Sequence, residues 1–282
     1  MIVKTIDLYE YFGIEKPENA VGKLTAYIPD IFDALSFTRK RPAMLVLPGG
    51  GYEYTSPREG EPIALKYLTQ GYCAFVLNYS TAPCKYPTAL KEAGMAMVYI
   101  RENASEFQIN SVCAIGGSAG GHLCGCLATL HSDKSLDFLG DKKALVKPNA
   151  CVLLYPVITC GEKAHQGSFN SLCGDDKELR DYLSLEKRVD ENSVPAFIFA
   201  TLGDTCVPCR NSLLLACAYE RVGVPFSLHI LEKGGHGLSV NDLTSDSNER
   251  LAERAPTSPE NYNDWVEQSF IWLKERGIKI ED

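Results

Sequence analysis

The 282 residues contain no Lys/Arg-rich run, no apolar stretch of membrane-spanning length and no complete set of metal-ligand spacings. Each absence closes off a class of function. With 28 Lys+Arg against 36 Asp+Glu the formal net charge is −8, so phosphate backbones and anionic lipid heads are repelled on average. Nucleic-acid and membrane partners are therefore not expected. The opening decapeptide MIVKTIDLYE carries Lys4 and Asp7 where a signal peptide would have an apolar core. The eleven cysteines are odd in number, and Cys73, Cys113 and Cys151 fall in apolar runs, where a thiol behaves as a small buried hydrophobe. Reduced thiols in the cytoplasm are the expectation. Cys206-Val207-Pro208-Cys209 has redox spacing but neither a thioredoxin-type context nor a second ligand pair. No metal and no cofactor are expected.

What is present is an ordinary globular composition, 45% hydrophobic and 23% charged, over a length that suits one large domain. Short apolar runs recur at 43–47, 74–77, 112–115, 151–155, 196–200 and 226–231, each rich in Val, Ile, Leu or Phe. Helix-like segments fill the gaps at 62–69, 89–103, 119–130, 211–222 and 263–276, and 23–28 reads as an antiparallel strand leading in. The alternation predicts an α/β fold over residues 1–282, a mostly parallel central sheet with helices on both faces. Two polar stretches, near 158–193 and 237–262, break the rhythm and are read as cap or loop excursions over the C-terminal edge of the sheet.

The strongest chemical signal is Gly116-Gly117-Ser118-Ala119-Gly120, which follows one apolar run and opens a helix-like segment. A strand-to-helix turn this sharp strains the central residue and tolerates only small neighbours. It exposes the Ser118 oxygen beside the positive end of a helix, the arrangement of a nucleophile elbow in the α/β-hydrolase fold. No Gly-Lys-Ser/Thr follows, which excludes a Walker loop. Pro48-Gly49-Gly50-Gly51-Tyr52 ends the run at 43–47, where such folds place an oxyanion loop. Gly50 or Gly51, together with Ala119, are the candidate N–H donors.

A serine hydroxyl needs a base, and there are five histidines. His236, in Lys233-Gly234-Gly235-His236-Gly237 just after the last run, has small neighbours that let a loop turn it toward Ser118. His229 lies within the run itself, His122 follows Ser118 on the elbow helix, and His131 and His165 lie in polar stretches without supporting context. Asp204 is the acidic residue of the turn Thr201-Leu202-Gly203-Asp204-Thr205, and it would fix the His236 tautomer. The chain order Ser118, Asp204, His236 is that of an α/β-hydrolase. Asp175-Asp176, Glu59 and Glu61 raise the possibility of a carboxylate pair for glycoside cleavage. They lack a sheet-end placement that would bring two together, and Asp175-Asp176 reads as a solvated surface pair.

Further segments extend the pattern: Ser56-Pro57-Arg58-Glu59-Gly60-Glu61-Pro62, Gly71-Tyr72, Asn78-Tyr79-Ser80, Tyr86-Pro87, GGSAGGH, GDTCVP and GGHG. With PGGGY they make the stretch from Pro42 to Lys274 resemble the esterase/lipase-like α/β-hydrolases, the acetyl-xylan-esterase-like and xylanase-B-like carboxylesterases. The resemblance implies a serine carboxylesterase acting on small-molecule esters of short acyl groups, acetyl above all, with acylated sugars among them, through an acyl-Ser118 intermediate. It also implies Ser118, Asp204 and His236 as catalytic residues and Gly50, Gly51 and Ala119 as the oxyanion hole. Where related esterases carry His-Gly-Gly-Gly, this chain has Pro48 in the His position, so its loop must be held by other groups. The alternatives are an amidase or peptidase using the same residues, and a catalytically silent ligand-binding α/β-hydrolase.

Overall fold

A computed structural model describes residues 1–32 and 38–281. Its strands are Ile2–Asp7 (β1), Lys23–Ile28 (β2), Arg41–Leu47 (β3), Cys73–Asn78 (β4), Ile109–Gly117 (β5), Cys151–Leu154 (β6), Ala196–Thr201 (β7) and Phe226–Leu231 (β8). They form one sheet in the order β1-β2-β4-β3-β5-β6-β7-β8. The β1–β2 and β2–β4 pairs are antiparallel, and every later pairing is parallel. The helices are Leu8–Phe12 (α1), Glu61–Thr69 (α2), Thr88–Glu102 (α3), Ser118–Thr129 (α4), Gln166–Cys173 (α5), Lys177–Tyr182 (α6), Arg210–Val222 (α7), Asn248–Arg254 (α8) and Asp264–Glu275 (α9).

The apolar runs are continuous because both faces of the sheet are covered. Alternate side chains of β3 divide between two cores: Ala43, Leu45 and Leu47 join Met97 of α3, Leu123 and Leu127 of α4 and Tyr219 of α7. Met44 and Val46 join Ile63 and Tyr67 of α2 and Trp265 and Trp272 of α9. This two-residue period is set by the pleat, and two covered faces confine polar residues to the ends of the central strands, such as Arg41, Asn110, Ser111 and Thr201. Trp265 is only 1% exposed, so truncating it to Ala costs about 3–5 kcal/mol. Cys73, Cys113 and Cys151 are fully buried in these strands, as their apolar surroundings predict. Among the described residues no helix is long and apolar enough to cross a membrane.

The parallel strands end on one edge of the sheet, so the segments after β3, β5, β6, β7 and β8 converge there. The excursion near 158–193 contains α5 and α6, and that near 237–262 contains α8. No strand was expected at β1, and the reason is physical. It lies on the outer edge of the sheet and all six of its side chains are exposed or half-buried, so it carries no buried face to set an apolar period.

Candidate active site

Ser118 sits at the junction of β5 and α4 with φ of +54°, a left-handed conformation unusual for a residue with a side chain. Close approach explains the flanking glycines. A Cβ on Gly116 would lie 2.1 Å from the Gly120 carbonyl oxygen, and one on Gly120 would lie 2.0 Å from that of Leu47. The turn can close only if both positions lack side chains. Ser118 is then presented at the sheet edge, in the first turn of α4, whose leading N–H groups have no intrahelical acceptor.

The loop after β8 brings His236 back to it: Nε2 is 2.8 Å from Ser118 Oγ and Nδ1 is 2.7 Å from Asp204 Oδ2. The carboxylate can only accept, so Nδ1 carries the proton and Nε2 accepts from the Ser118 hydroxyl. Asp204 is aimed by its own turn. Its Oδ1 accepts the backbone N–H groups of Cys206 and Val207, both at 2.9 Å, which leaves Oδ2 for His236. The CVPC segment thus serves as a backbone clamp on a buried carboxylate. The Thr201 hydroxyl donates to the Gly234 carbonyl at 2.8 Å and ties this turn to the histidine loop.

The N–H groups of Gly50 and Gly51 make no hydrogen bond among the described residues, and both residues line the cleft beside Ser118. Their loop is held without a histidine at position 48. Tyr79 Oη–H donates to the Pro48 carbonyl at 2.5 Å. Glu59 Oε2 accepts Gly49 N–H at 2.7 Å, while its Oε1 accepts the Tyr155 hydroxyl at 2.6 Å. Burial above all, and then the Glu59 charge, push the Tyr155 phenol well above its ordinary range, so it remains a donor. Glu59 is wedged between two loops: a Cβ on Gly49 would meet its Oε2 at 2.3 Å, and one on Gly117 would meet its Oε1 at 2.8 Å. Tyr155 extends the link to the histidine loop by accepting Ser239 N–H at 3.1 Å and packing edge-on against the His236 ring.

Glu59 corrects the sequence expectation. It does lie at the sheet end, 3% exposed. Its neighbour Glu61 is exposed, so the two form no catalytic pair. Asp175 and Asp176 are exposed in the excursion, where Asp176 caps α6.

His122 is a second anchor. It is fully buried, and that burial lowers its pKa to about 4, so the ring is neutral. Its Nε2–H donates to the Leu183 carbonyl at 2.9 Å, and its Nδ1 accepts the Tyr52 hydroxyl at 2.8 Å. One ring therefore fastens the elbow helix to the Gly-rich loop and to the excursion. Phe169 of α5 packs edge-on against the same ring, and Asn211 Oδ1 holds the start of the excursion through the N–H groups of Ile158 and Thr159. His229 remains within β8, stacked on Phe197.

The cleft over Ser118 has a volume of about 470 Å³ and a polar lining that includes Glu53, Ser56, Arg58, His165 and Cys206. The Arg58 guanidinium donates to the Ser245 carbonyl and to Asp246. No sequence context marks His165, which lies in a polar stretch. Its place in the cleft depends on how α5 packs, which no local signal reports.

The sequence pattern of the BD-FAE family matches residues 29–219. The chain belongs to this family. An endo-1,4-β-xylanase B of Butyrivibrio fibrisolvens is 38% identical over 225 residues, which cover 76% of this chain and 35% of that protein. An acetylxylan esterase of Xylanibacter ruminicola is 28% identical over 205 residues, 69% of this chain and 40% of that one. The chain thus spans between a third and two-fifths of the length of these curated relatives. Among solved structures, the acetyl ester-xyloside bifunctional hydrolase of Caldicellulosiruptor lactoaceticus superposes with a TM-score of 0.79 at 33% identity, covering 98% of this chain and 97% of that one. BD-FAE membership and this superposition agree with the α/β-hydrolase architecture traced above.

Proposed function

We propose that the protein is a serine carboxylesterase that hydrolyses short acyl esters, acetyl esters of hydroxylated alcohols foremost. The observation that carries this is the hydrogen-bonded row Ser118–His236–Asp204 opening beside the unpaired N–H groups of Gly50 and Gly51. In the first step Nε2 of neutral His236 takes the Ser118 proton as Oγ attacks the acyl carbon. The new imidazolium is stabilised by Asp204. The developing oxyanion accepts from the N–H groups of Gly50 or Gly51 and of Ala119, which lies in the free first turn of α4. Collapse returns the proton from His236 to the departing alcohol and leaves acyl-Ser118, which water then attacks by the same route.

A short acyl group fits a cleft lined by glycines and polar side chains, with Tyr54 as its large aromatic. Glycoside cleavage is not proposed, because both Glu59 oxygens already accept structural donors. The unpaired state of all eleven cysteines supports the cytoplasm as the place of action.

The test is p-nitrophenyl acetate hydrolysis together with fluorophosphonate labelling. Wild type is expected to turn over the ester and to label at Ser118. Ser118→Ala is expected to lose several orders of magnitude in rate with an unchanged circular dichroism spectrum. A variant as active as wild type overturns the assignment, and an unlabelled Ser118 points to a silent binding protein. A faster reaction with the matching anilide points to an amidase.

A further inference from the structure

The cleft holds a donor and an acceptor that the Ser118–His236–Asp204 row does not use. His165 caps the N-terminus of α5, where its Nδ1 lies 3.2 Å from Ser168 N and 2.8 Å from Ser168 Oγ. A backbone N–H can only donate, so Nδ1 is the acceptor and the proton of the neutral ring sits on Nε2. Burial first, and the nearby His236 second, hold His165 below the ordinary histidine value, which keeps this tautomer in place at neutral pH. Its Nε2–H has no partner among the described residues. Glu53, from the turn that follows the Gly-rich loop, lines the same cleft, and its carboxylate likewise makes no hydrogen bond or ion pair there. Tyr54 beside it is 60% exposed at the rim.

Both residues lie on segments tied to the rest of the fold. Glu53 N–H donates to the Gly50 carbonyl at 3.0 Å, and the Thr81 hydroxyl donates to the Glu53 carbonyl at 3.2 Å. His165 is carried by α5, which packs on the buried His122. The Arg58 guanidinium is engaged by Asp246, so it offers no counter-charge to an anionic alcohol, and Glu53 repels one. The unmet chemistry is therefore that of a neutral molecule bearing hydroxyl groups, each able to donate and to accept, with the Tyr54 ring beside them at the rim.

We propose that His165 and Glu53 form an alcohol-side subsite that binds hydroxyl groups of a neutral polyol or sugar, His165 Nε2–H donating to one and Glu53 accepting from another. This rests on the ester-hydrolysis reading and specifies the leaving group it is built for.

The experiment compares a mono-O-acetylated xylose that retains free neighbouring hydroxyls with p-nitrophenyl acetate, which has the same acyl group and no hydroxyl. For the exposed substitution Glu53→Gln and for His165→Ala, KM for the acetyl sugar is expected to rise about tenfold with kcat little changed. On p-nitrophenyl acetate, which offers no hydroxyl to either group, the change in KM is expected to be several-fold smaller than on the acetyl sugar. His165→Gln, which restores an N–H donor, is expected to recover part of the loss. An acetyl xylose with its other hydroxyls methylated is expected to react no better with wild type than with the variants. Equal effects of the variants on both esters, or none on the acetyl sugar, overturn the subsite and leave ester hydrolysis standing. Inertness of the wild-type enzyme toward both esters instead refutes ester hydrolysis, and the subsite with it.

Discussion

Replacing Glu59 by Gln removes one acceptor from a buried position where two donors converge. If the new NH₂ faces Gly49, two N–H groups oppose each other across a contact that is now 2.7 Å. If it faces Tyr155, the phenol oxygen already accepts Ser239 N–H and its own proton loses its partner. Either orientation strands one buried donor, at a cost of about 1–3 kcal/mol, or a Tm lower by roughly 2–10 °C for a chain of this size. The Gly50 and Gly51 N–H groups ride on the same loop, so they move with Gly49. Displacing one oxyanion donor costs up to about 10²–10³ in kcat, and Glu59→Gln is expected to lose at least about tenfold of that. KM should change little, because Glu59 does not hold the acyl or alcohol groups. Thermal melts by circular dichroism and steady-state kinetics on one acetyl ester measure both quantities. Glu59→Ala, which strands both donors and opens a void, is expected to be worse on each. If Glu59→Gln matched wild type in Tm and in kcat, the carboxylate would not be what positions the loop.

Asp204→Asn is expected to keep the fold and cut kcat by about 10⁴, whereas Asp175→Asn and Asp176→Asn change it by less than about tenfold; the reverse ranking in steady-state kinetics would move the acid into the excursion. His122 is held at about 4 in the folded protein against its ordinary 6.5. The unfolded chain therefore binds the extra proton first as pH falls, and stability drops between about pH 6.5 and 4, by about 2 kcal/mol from pH 7 to 5. Urea midpoints of wild type should follow this slope, and those of His122→Gln should be flatter; equal slopes would remove His122 as the cause. Acetyl and butyryl esters should react faster than long-chain ones, because the stretch 158–193 is anchored as a fixed wall; faster turnover of emulsified long-chain triglyceride would make it a lipase lid.

Legibility in the sequence follows the range of the interaction that places each residue. Ser118, Asp204 and His236 each stand a few positions past an apolar run and beside glycines, so strand ends and turn composition locate them without any knowledge of the third dimension. Glu59 has no such marker. Ser56-Pro57-Arg58-Glu59 reads as a polar turn, and only the fold shows that the turn doubles back beneath the Gly-rich loop. His122 is opaque because its partners Tyr52 and Leu183 are far from it in sequence, and His165 because its place in the cleft depends on how the excursion packs. The central strands were legible because double burial leaves an unbroken apolar run, and β1 was not because an edge strand has no such constraint.

The Glu59–Tyr155 pair also has a consequence for how activity arises during folding. Its contacts join the segment after β3 to Ser239, whose carbonyl in turn accepts the indole N–H of Trp265. Ser118, the Gly-rich loop and Glu59 all precede Tyr155, Ser239 and Trp265 in the chain, so this link closes only after those later residues are in place. A partly synthesised or partly refolded chain should therefore have its sheet and helices well before it has a working catalyst. In a refolding experiment the far-ultraviolet signal should recover first, with enzymatic activity returning only alongside the fluorescence change that reports Trp265 docking.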